Sequence, residues 1–511
     1  MNRVLRRINE DLNLMERGIT ICVNQNQYNE RGAILAFVVD TLAAHEFTEF
    51  KEGVGFAYQK CRECECTFED MQTNFNEKDF ILRSLDRYDQ QTAEIGMART
   101  AGLRDRLSMA YGINVRSEAR NFPHFDIINM VPEDIMHVLF EGIVIYEIGL
   151  VLRTLFVEGV FTLKQLNEII ENFHYGYKHK ECKPNAMPQK IFENDDTVTL
   201  KQSSSSMIVL LRLLPFFLVK KLNADINHPY IEFISELCEL VLIILAPVIS
   251  IETLQVLKVL ISRHCRKFKE LFPNYNIIPK QHYLLHLPST IEKYGPLVHV
   301  WSMRFENKHQ FLKQKMTGSK NFKNIEKSVA NHFARYECAL NACEKHPLFH
   351  NDLVVGKSTN ISNLAETKQR INAFFGTEID CIKHVHSVSW VILHGQKFIP
   401  KECEIAFGES NGLPEFGSLQ YVWIVSIMDE NISTQRVFFG LQMYETLRFD
   451  YDVQGHVVKH SDMAQGHELT NASSLFVPLP LHLYNIGDVM YIFVPYDMID
   501  LIKHKRESVE V

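Results

Sequence analysis

The sequence predicts a multidomain α+β protein, with a long, mostly helical body followed by a small all-β C-terminal domain. Three observations predict this. Apolar residues recur at helical spacing in long segments between Thr67 and Leu287, with Pro, Asn and Gly breaks between them. Beyond about residue 370 the chain changes to short β-branched and aromatic runs separated by Gly, Asn, Asp and Pro turns. Its 511 residues are enough to bury several cores.

Along the chain, Val4, Leu5, Ile8, Leu12 and Met15 have helical spacing, and Gly18 should end that helix. The run Gly32–Asp40 is continuously apolar up to its final carboxylate. It reads as a buried strand with Asp40 at its C-terminal edge, where open α/β sheets place functional groups. The other reading is a helix-capping Asp before Leu42-Ala-Ala-His45. Helices are expected over Asp134–Phe156, Thr162–Phe173, Met207–Leu222, Ile231–Leu245 and Leu254–Phe272. Ser203–Ser206 should start a helix, and Tyr175–Asp196 should be a loop. A further helix near Trp301 should carry Glu306. Pro347, Gly356, Ser358, Asn360 and Ser362 break the periodicity and suggest a linker. Strands are expected at Val388–Leu393, Gln396–Ile399, Glu404–Phe407, Gln420–Ser426, Arg436–Tyr444, Leu475–Pro478 and Val489–Pro495.

Charge and composition narrow the function classes. The net charge of −8 excludes a chain that is basic as a whole, so any nucleic-acid contact must come from a local patch. The greasiest stretches, Met207–Val219 and Leu237–Ile251, are short and interrupted by Arg212, Pro215, Glu239 and Pro247, so they read as buried helices rather than membrane spans. No secretory signal is expected, because charges recur from Arg3 to Arg17. Eleven cysteines then suit a reducing, nuclear or cytoplasmic location, with free thiols or metal ligands rather than disulfides. No phosphate-binding Walker loop or dinucleotide fingerprint is present.

Two spaced pairs carry the chemistry. Cys61 and Cys64 place two thiols on one tight turn, and His282 and His286 place two imidazoles on one helix face. Together they offer the four donors of a closed zinc site, with Cys66 as a competing ligand. Asp40 precedes Cys61 by 21 positions and Glu306 follows His286 by 20. A carboxylate at a strand end and one on a helix suit divalent cations, and paired cations serve phosphoryl transfer. Glu306 also reads plainly as a helix-surface acid, and His137 as a core histidine. Between Lys308 and Lys327 there are six lysines and one acid, a solvated face or a track for a DNA backbone.

Several segments, taken in order, resemble transposases of the CACTA type over roughly residues 1–345. They are Val39-Asp-Thr-Leu-Ala-Ala-His45, Gly53-Val-Gly-Phe-Ala-Tyr58 leading to Cys61 and Cys64, and Pro132-Glu-Asp-Ile-Met-His137 with Glu141-Gly142. They continue with His282-Tyr-Leu-Leu-His286-Leu-Pro288, Tyr294-Gly-Pro-Leu-Val-His-Val-Trp301 and Met303-Arg-Phe-Glu306 with Lys308. The cysteine, histidine and glutamate spacing is also similar to the catalytic core of the vertebrate V(D)J recombinase.

The resemblance implies a truncated RNase H-like core with a DDE triad, interrupted by a large all-α insertion. Asp40 would be the second catalytic Asp and Glu306 the catalytic Glu. Cys61, Cys64, His282 and His286 would hold a structural zinc, and Asp134 and His137 would be supporting residues. Lys308, Lys313, Lys315, Lys320 and Lys323 would meet DNA at transposon ends. Magnesium or manganese serves the intact family. The first Asp of the triad would lie upstream of the helix at residues 3–17, so the sequence is expected to correspond to a C-terminal portion that is inactive alone. The alternative is a domesticated, zinc-stabilised DNA- or protein-binding protein with no enzymatic activity. A homo-oligomer is a further option, and no membrane is implied. The expected parts are a partial core over 1–58, a zinc-bearing helical insertion over 59–298, a catalytic-type helix over 299–345, a linker over 346–370 and a β-barrel-like domain over 371–511.

Overall fold

The computed structural model describes the chain except residues 1, 24, 193–199, 320–322, 343–352, 362–363, 376–381, 430–431, 462–467 and 510–511. It is mixed α+β and divides into two compact units. Unit 1 comprises residues 1–158, 188–200 and 227–304, and unit 2 comprises 159–187, 201–226 and 305–511. The expected insertion, 59–298, is helical but is shared between the two units.

In unit 1 the helix Asn2–Arg17 ends at Gly18, whose φ of +103° suits a residue without a Cβ. An exposed hairpin follows, with β1 (Ile19–Val23) paired antiparallel to β2 (Asn26–Glu30). These are the named strands of unit 1 among its described residues. The strand expected to end at Asp40 is absent, and residues 31–40 carry no regular structure. Ile34, Phe37 and Val39 instead pack on an aromatic cluster that includes Phe47, Phe50, Tyr88, Phe122 and Phe125. The Phe37 and Phe47 rings stack at 3.7 Å. Phe37 N–H reaches the Met130 carbonyl at 2.8 Å. An apolar run becomes a strand only where a neighbouring strand supplies ladder partners; here the aromatic core takes the side chains without one. The RNase H-like sheet is therefore not seen among the described residues of this unit.

The rest of unit 1 is helical. A π-helical stretch, Met136–Ile143, runs into the helix Val144–Val157. The helices Pro229–Ile244 and Ile251–Leu271 pack on each other, and Phe233, Phe268 and Phe272 are buried. Ser250 caps the second of these by accepting Thr253 N–H. Among the described residues no helix is long and apolar enough to cross a membrane.

Unit 2 contains the β-rich region. Its strands are β3 (Val354–Val355), β4 (Ser358–Asn360), β5 (Ile382–Val388), β6 (Val391–Leu393), β7 (Gln396–Phe398) and β8 (Glu404–Ser410). They continue with β9 (Leu413–Asp429), β10 (Ile432–Asp450), β11 (Gly455–His460), β12 (Glu468–Asn471), β13 (Leu483–Ile486) and β14 (Val489–Ile492). The main sheet is antiparallel and curled, in the order β13-β14-β11-β10-β9-β5-β4, with β12 beside β10 and β8 beside β9. Among the described residues the order has two ends, so the small barrel or sandwich expected here takes the form of a curled antiparallel sheet. Gly440 on β10 lies opposite Tyr421 on β9, where a Cβ would come within 2.0 Å of the Tyr421 ring. The run Leu475–Pro478 is irregular and follows a 3₁₀ turn.

The expected linker is only partly one. Its residues 346–352 and 362–363 lie outside the described residues, but β3 pairs with β6 and β4 with β5, and the helix Leu364–Phe375 buries Ile371. Breaker residues here make turns between paired elements. Phe216, from the expected insertion, packs against Tyr491 and Phe493 at 5.5 and 5.3 Å. The helix carrying it, Ser204–Phe216, starts at its Ser203 cap as the serine run suggested. It contains Pro215 and passes into a π turn over Phe217–Lys221, consistent with the amide hydrogen bond that proline removes.

Candidate metal centre

Cys61, Cys64 and Cys66 sit on a short irregular knuckle that backbone bonds hold in shape. Lys60 N–H donates to the Cys66 carbonyl at 2.9 Å, Glu65 N–H to Ile81 at 2.9 Å, and Arg83 N–H to Glu63 at 2.9 Å. The buried Arg83 side chain donates from Nε to the Cys61 carbonyl at 3.0 Å. On the other side, Pro279 opens the helix Pro279–Tyr283, which carries His282, and a 3₁₀ turn Leu284–His286 continues it to His286. All five side chains are 1% exposed or less.

The ligand atoms of Cys61, Cys64, Cys66 and His282 lie within 4.8 Å of one another. His282 Nε2 is 3.2 Å from Cys64 Sγ and 3.3 Å from Cys66 Sγ. Two ligands of one tetrahedral zinc stand roughly 3.3–3.8 Å apart, given bonds of about 2.0–2.3 Å, so the donor set fits such an ion. His286 stands outside this four-residue group, yet its Nε2 is 3.2 Å from His282 Nε2. The expected set of Cys61, Cys64, His282 and His286 thus becomes a Cys₃His cluster with His286 as a fifth donor beside it. Cys66 was visible in the sequence as a competitor.

The surroundings orient the donors. His286 Nδ1 bonds Glu77 Oε1 at 2.9 Å, leaving its Nε2 toward the cluster. Ser289 Oγ donates to the other Glu77 oxygen. Nothing in the sequence marked Glu77, which stands 209 positions from His286. The Phe80 ring meets His282 edge-on at 4.8 Å. Arg62, wholly buried, pairs with Glu133 at 2.8 Å and Glu63 at 3.3 Å.

Electrostatics within the cluster favour charge separation. Burial opposes ionising Cys61, but hydrogen bonds with Cys64 and Cys66 and the charges of His286 and His282 bring its thiol well below the ordinary range. Burial likewise opposes charging His286, yet the Cys61 thiolate and the Glu77 bond push it up to about 10. Hydrogen bonding to Cys61 raises Cys64 and Cys66, and burial lowers His282. The thiolate is the species that binds a metal, so the lowered Cys61 pKa favours ligation.

The other expected site residues are placed differently. Asp40 is half-buried and caps the helix Thr41–Thr48, its Oδ1 accepting Ala43 N–H at 2.6 Å. This is the capping role read as its alternative. Asp134 is buried and takes four bonds. His137 Nδ1, His137 N–H (3.3 Å) and Ser302 Oγ (2.7 Å) meet its Oδ2, and Ser302 N–H donates to its Oδ1 at 2.8 Å. Burial would raise its pKa, but those bonds bring it below the usual carboxylate value. Asp134 thereby ties the segment before residue 303 to the start of the π-helical stretch. Glu306 is exposed in the first turn of the helix Met303–Ser319. Lys308, Lys313 and Lys323 are exposed, and Lys308 lies 3.9 Å from Glu337. The Lys315 side chain and Lys320 lie outside the described residues.

Comparison with known proteins gives no match to any family model and none to curated proteins.

Proposed function

We propose that the chain is a transposable-element-derived protein, similar to a CACTA-type DDE transposase, whose fold is fastened by a structural zinc. One observation carries the reading: the cysteine knuckle at residues 61–66 and the histidines at 282 and 286 meet in one buried cluster across 218 positions of sequence. Those two motifs are among the ordered segments that carry the resemblance. Bound zinc, closed in by four protein donors, would supply folding free energy. Cys61, Cys64, Cys66 and His282 would hold it, and Glu77 would orient His286 beside them.

In this reading Asp40 and Glu306 are the inherited carboxylates of an RNase H-like core, and transposon-end DNA is the partner. Their number argues against activity of the chain alone. Two-metal phosphoryl transfer uses an acid bridging both cations, and the resemblance assigns only two of three acids here. Asp40 also already accepts a helix N–H. The chain then acts as a zinc-stabilised binding protein that performs no strand cleavage by itself.

Two measurements test this. Metal analysis of the purified chain should find one zinc per molecule, and cobalt exchanged into it should give the thiolate-to-metal absorption of three cysteines. A metal-free chain that leaves the cobalt spectrum unchanged removes the carrying observation. A strand-cleavage assay on DNA with magnesium or manganese should show no product. Metal-dependent cleavage abolished by Glu306→Gln would overturn the inactive half of the proposal and sustain its ancestry.

A further inference from the structure

A cavity in unit 1, of about 520 Å³, lies between the loop at residues 75–78 and the helix Ile251–Leu271. Its walls bring together Lys78, Lys258, Arg263 and Arg266. Arg263 is 3.6 Å from Glu236. Among the described residues the other three make no salt bridge within 4 Å. Lys258, Ser262 and Arg266 follow one another at four-residue intervals, so they line one face of the helix.

This cation cluster is built rather than scattered. Arg266 Nη2 donates to Ser262 Oγ at 2.6 Å, and the buried Ser262 hydroxyl donates to Asn76 Oδ1 at 3.1 Å. Asn76 Nδ2 in turn donates to Asp79 at 3.0 Å. That chain fixes one edge of the guanidinium and leaves the rest of it open to a ligand. The carboxylate on the wall, Glu77, has both oxygens engaged by His286 and Ser289. The cavity thus keeps a net positive charge, a half-buried lysine and a fixed guanidinium fork in a space of ligand size.

We propose that this cavity is a phosphate-binding site that takes the backbone of a nucleic acid. Point charges from lysine and a planar fork from arginine are the groups that hold phosphate oxygens. Lys258 to Arg266 spans about 12 Å of helix. Each strand of duplex DNA carries one charge per roughly 3.4 Å of axis, so the two cations of this row can meet separate phosphates of one strand. The inference stands apart from the transposase reading, and this surface is separate in sequence from Lys308–Lys323.

The test uses the full chain, a fluorescent DNA duplex of random sequence, and inorganic phosphate. Lys258→Glu combined with Arg266→Glu should weaken duplex binding by tenfold or more. It should also reduce the slope of log affinity against log salt by about 2. Circular dichroism should show the fold unchanged, and Lys164→Glu, a reversal at an exposed surface lysine, should have little effect. Lys258→Gln with Arg266→Gln gives a second, milder variant that should fall between. Duplex affinity and salt slope equal to the parent chain overturn the proposal. So does a melting temperature raised by inorganic phosphate in the parent alone with duplex binding unchanged, because that assigns the cavity to free phosphate.

Discussion

The cysteine–histidine cluster and the helix pair Met303–Ser319 and Ile325–Asn341 carry two kinds of sequence signal, and the structure treats them oppositely. At the cluster, five donors with characteristic spacing are all buried, and the two sides are pinned by backbone bonds, Arg83 and Glu77. In the helix pair, Lys308, Lys313, Lys327 and Glu306 are exposed, and the second helix buries none of its residues. Spacing between ligand types predicts geometry because a metal demands one. A run of like charges demands only water, so its structure says little about what it binds.

The largest effect expected from this contrast is at the cluster. Cys64→Ser should cost roughly 4–5 kcal/mol or more, since a structural metal site contributes folding free energy outright. Denaturant unfolding with and without a chelator should show the loss in the parent and little further change in the variant. A variant as stable as the parent would reduce the cluster to packed thiols. Beside it, Glu133→Gln should leave the buried Arg62 charge supported by Glu63 alone, at a cost of about 3–5 kcal/mol. A shift in the urea midpoint corresponding to less than about 1 kcal/mol would show that Glu63 suffices.

Unit 2 sharpens the comparison through pH. Burial pushes Glu404 up to about 7, against the pull of its bonds with Ser418 and Tyr444. The folded state therefore keeps a proton that the unfolded chain releases near 4.5. Stability from this group is full below about pH 4.5 and declines as pH rises through 7, by roughly 3 kcal/mol in all. Glu404→Gln should flatten that part of the stability profile; an unchanged slope would mean that Glu404 ionises freely in place. At Asp40 the expected effect is smaller. Asp40→Ala should cost about 1 kcal/mol through the lost helix cap, while Asp40→Ser should restore most of it. Equal losses in both variants would point to a role beyond capping. Lys308→Ala, at an exposed pair, should change stability by less than about 0.5 kcal/mol, read from the thermal midpoint.

Much of the local structure was legible because its causes are local. The stop at Gly18 and the helix start at Ser203 depend on a few neighbouring residues. The apolar periodicity likewise placed the helices Pro229–Ile244 and Ile251–Leu271 within a few residues. The pairing of the cysteine knuckle with His282 was legible for a different reason. Thiols and imidazoles at metal-ligand spacing are few enough in a chain to find one another on paper.

Other features depended on partners that the sequence does not label. Gly32–Asp40 has the composition of a strand, but whether it becomes one depends on a neighbouring strand, and its side chains found an aromatic core instead. Glu77 is one of 62 acidic residues, and only its position beside His286 distinguishes it. The breaker residues near 356–360 looked like a linker because turns between paired short strands use the same residues. By itself the sequence determined helix periods, caps and the metal-type donor set, since these follow from dihedral preference and ligand chemistry over short distances. Only the tertiary structure decided which apolar run paired, which third cysteine joined the cluster and which cations met around one cavity. Each of those depends on a contact between distant segments whose free energy exists only once the chain has folded.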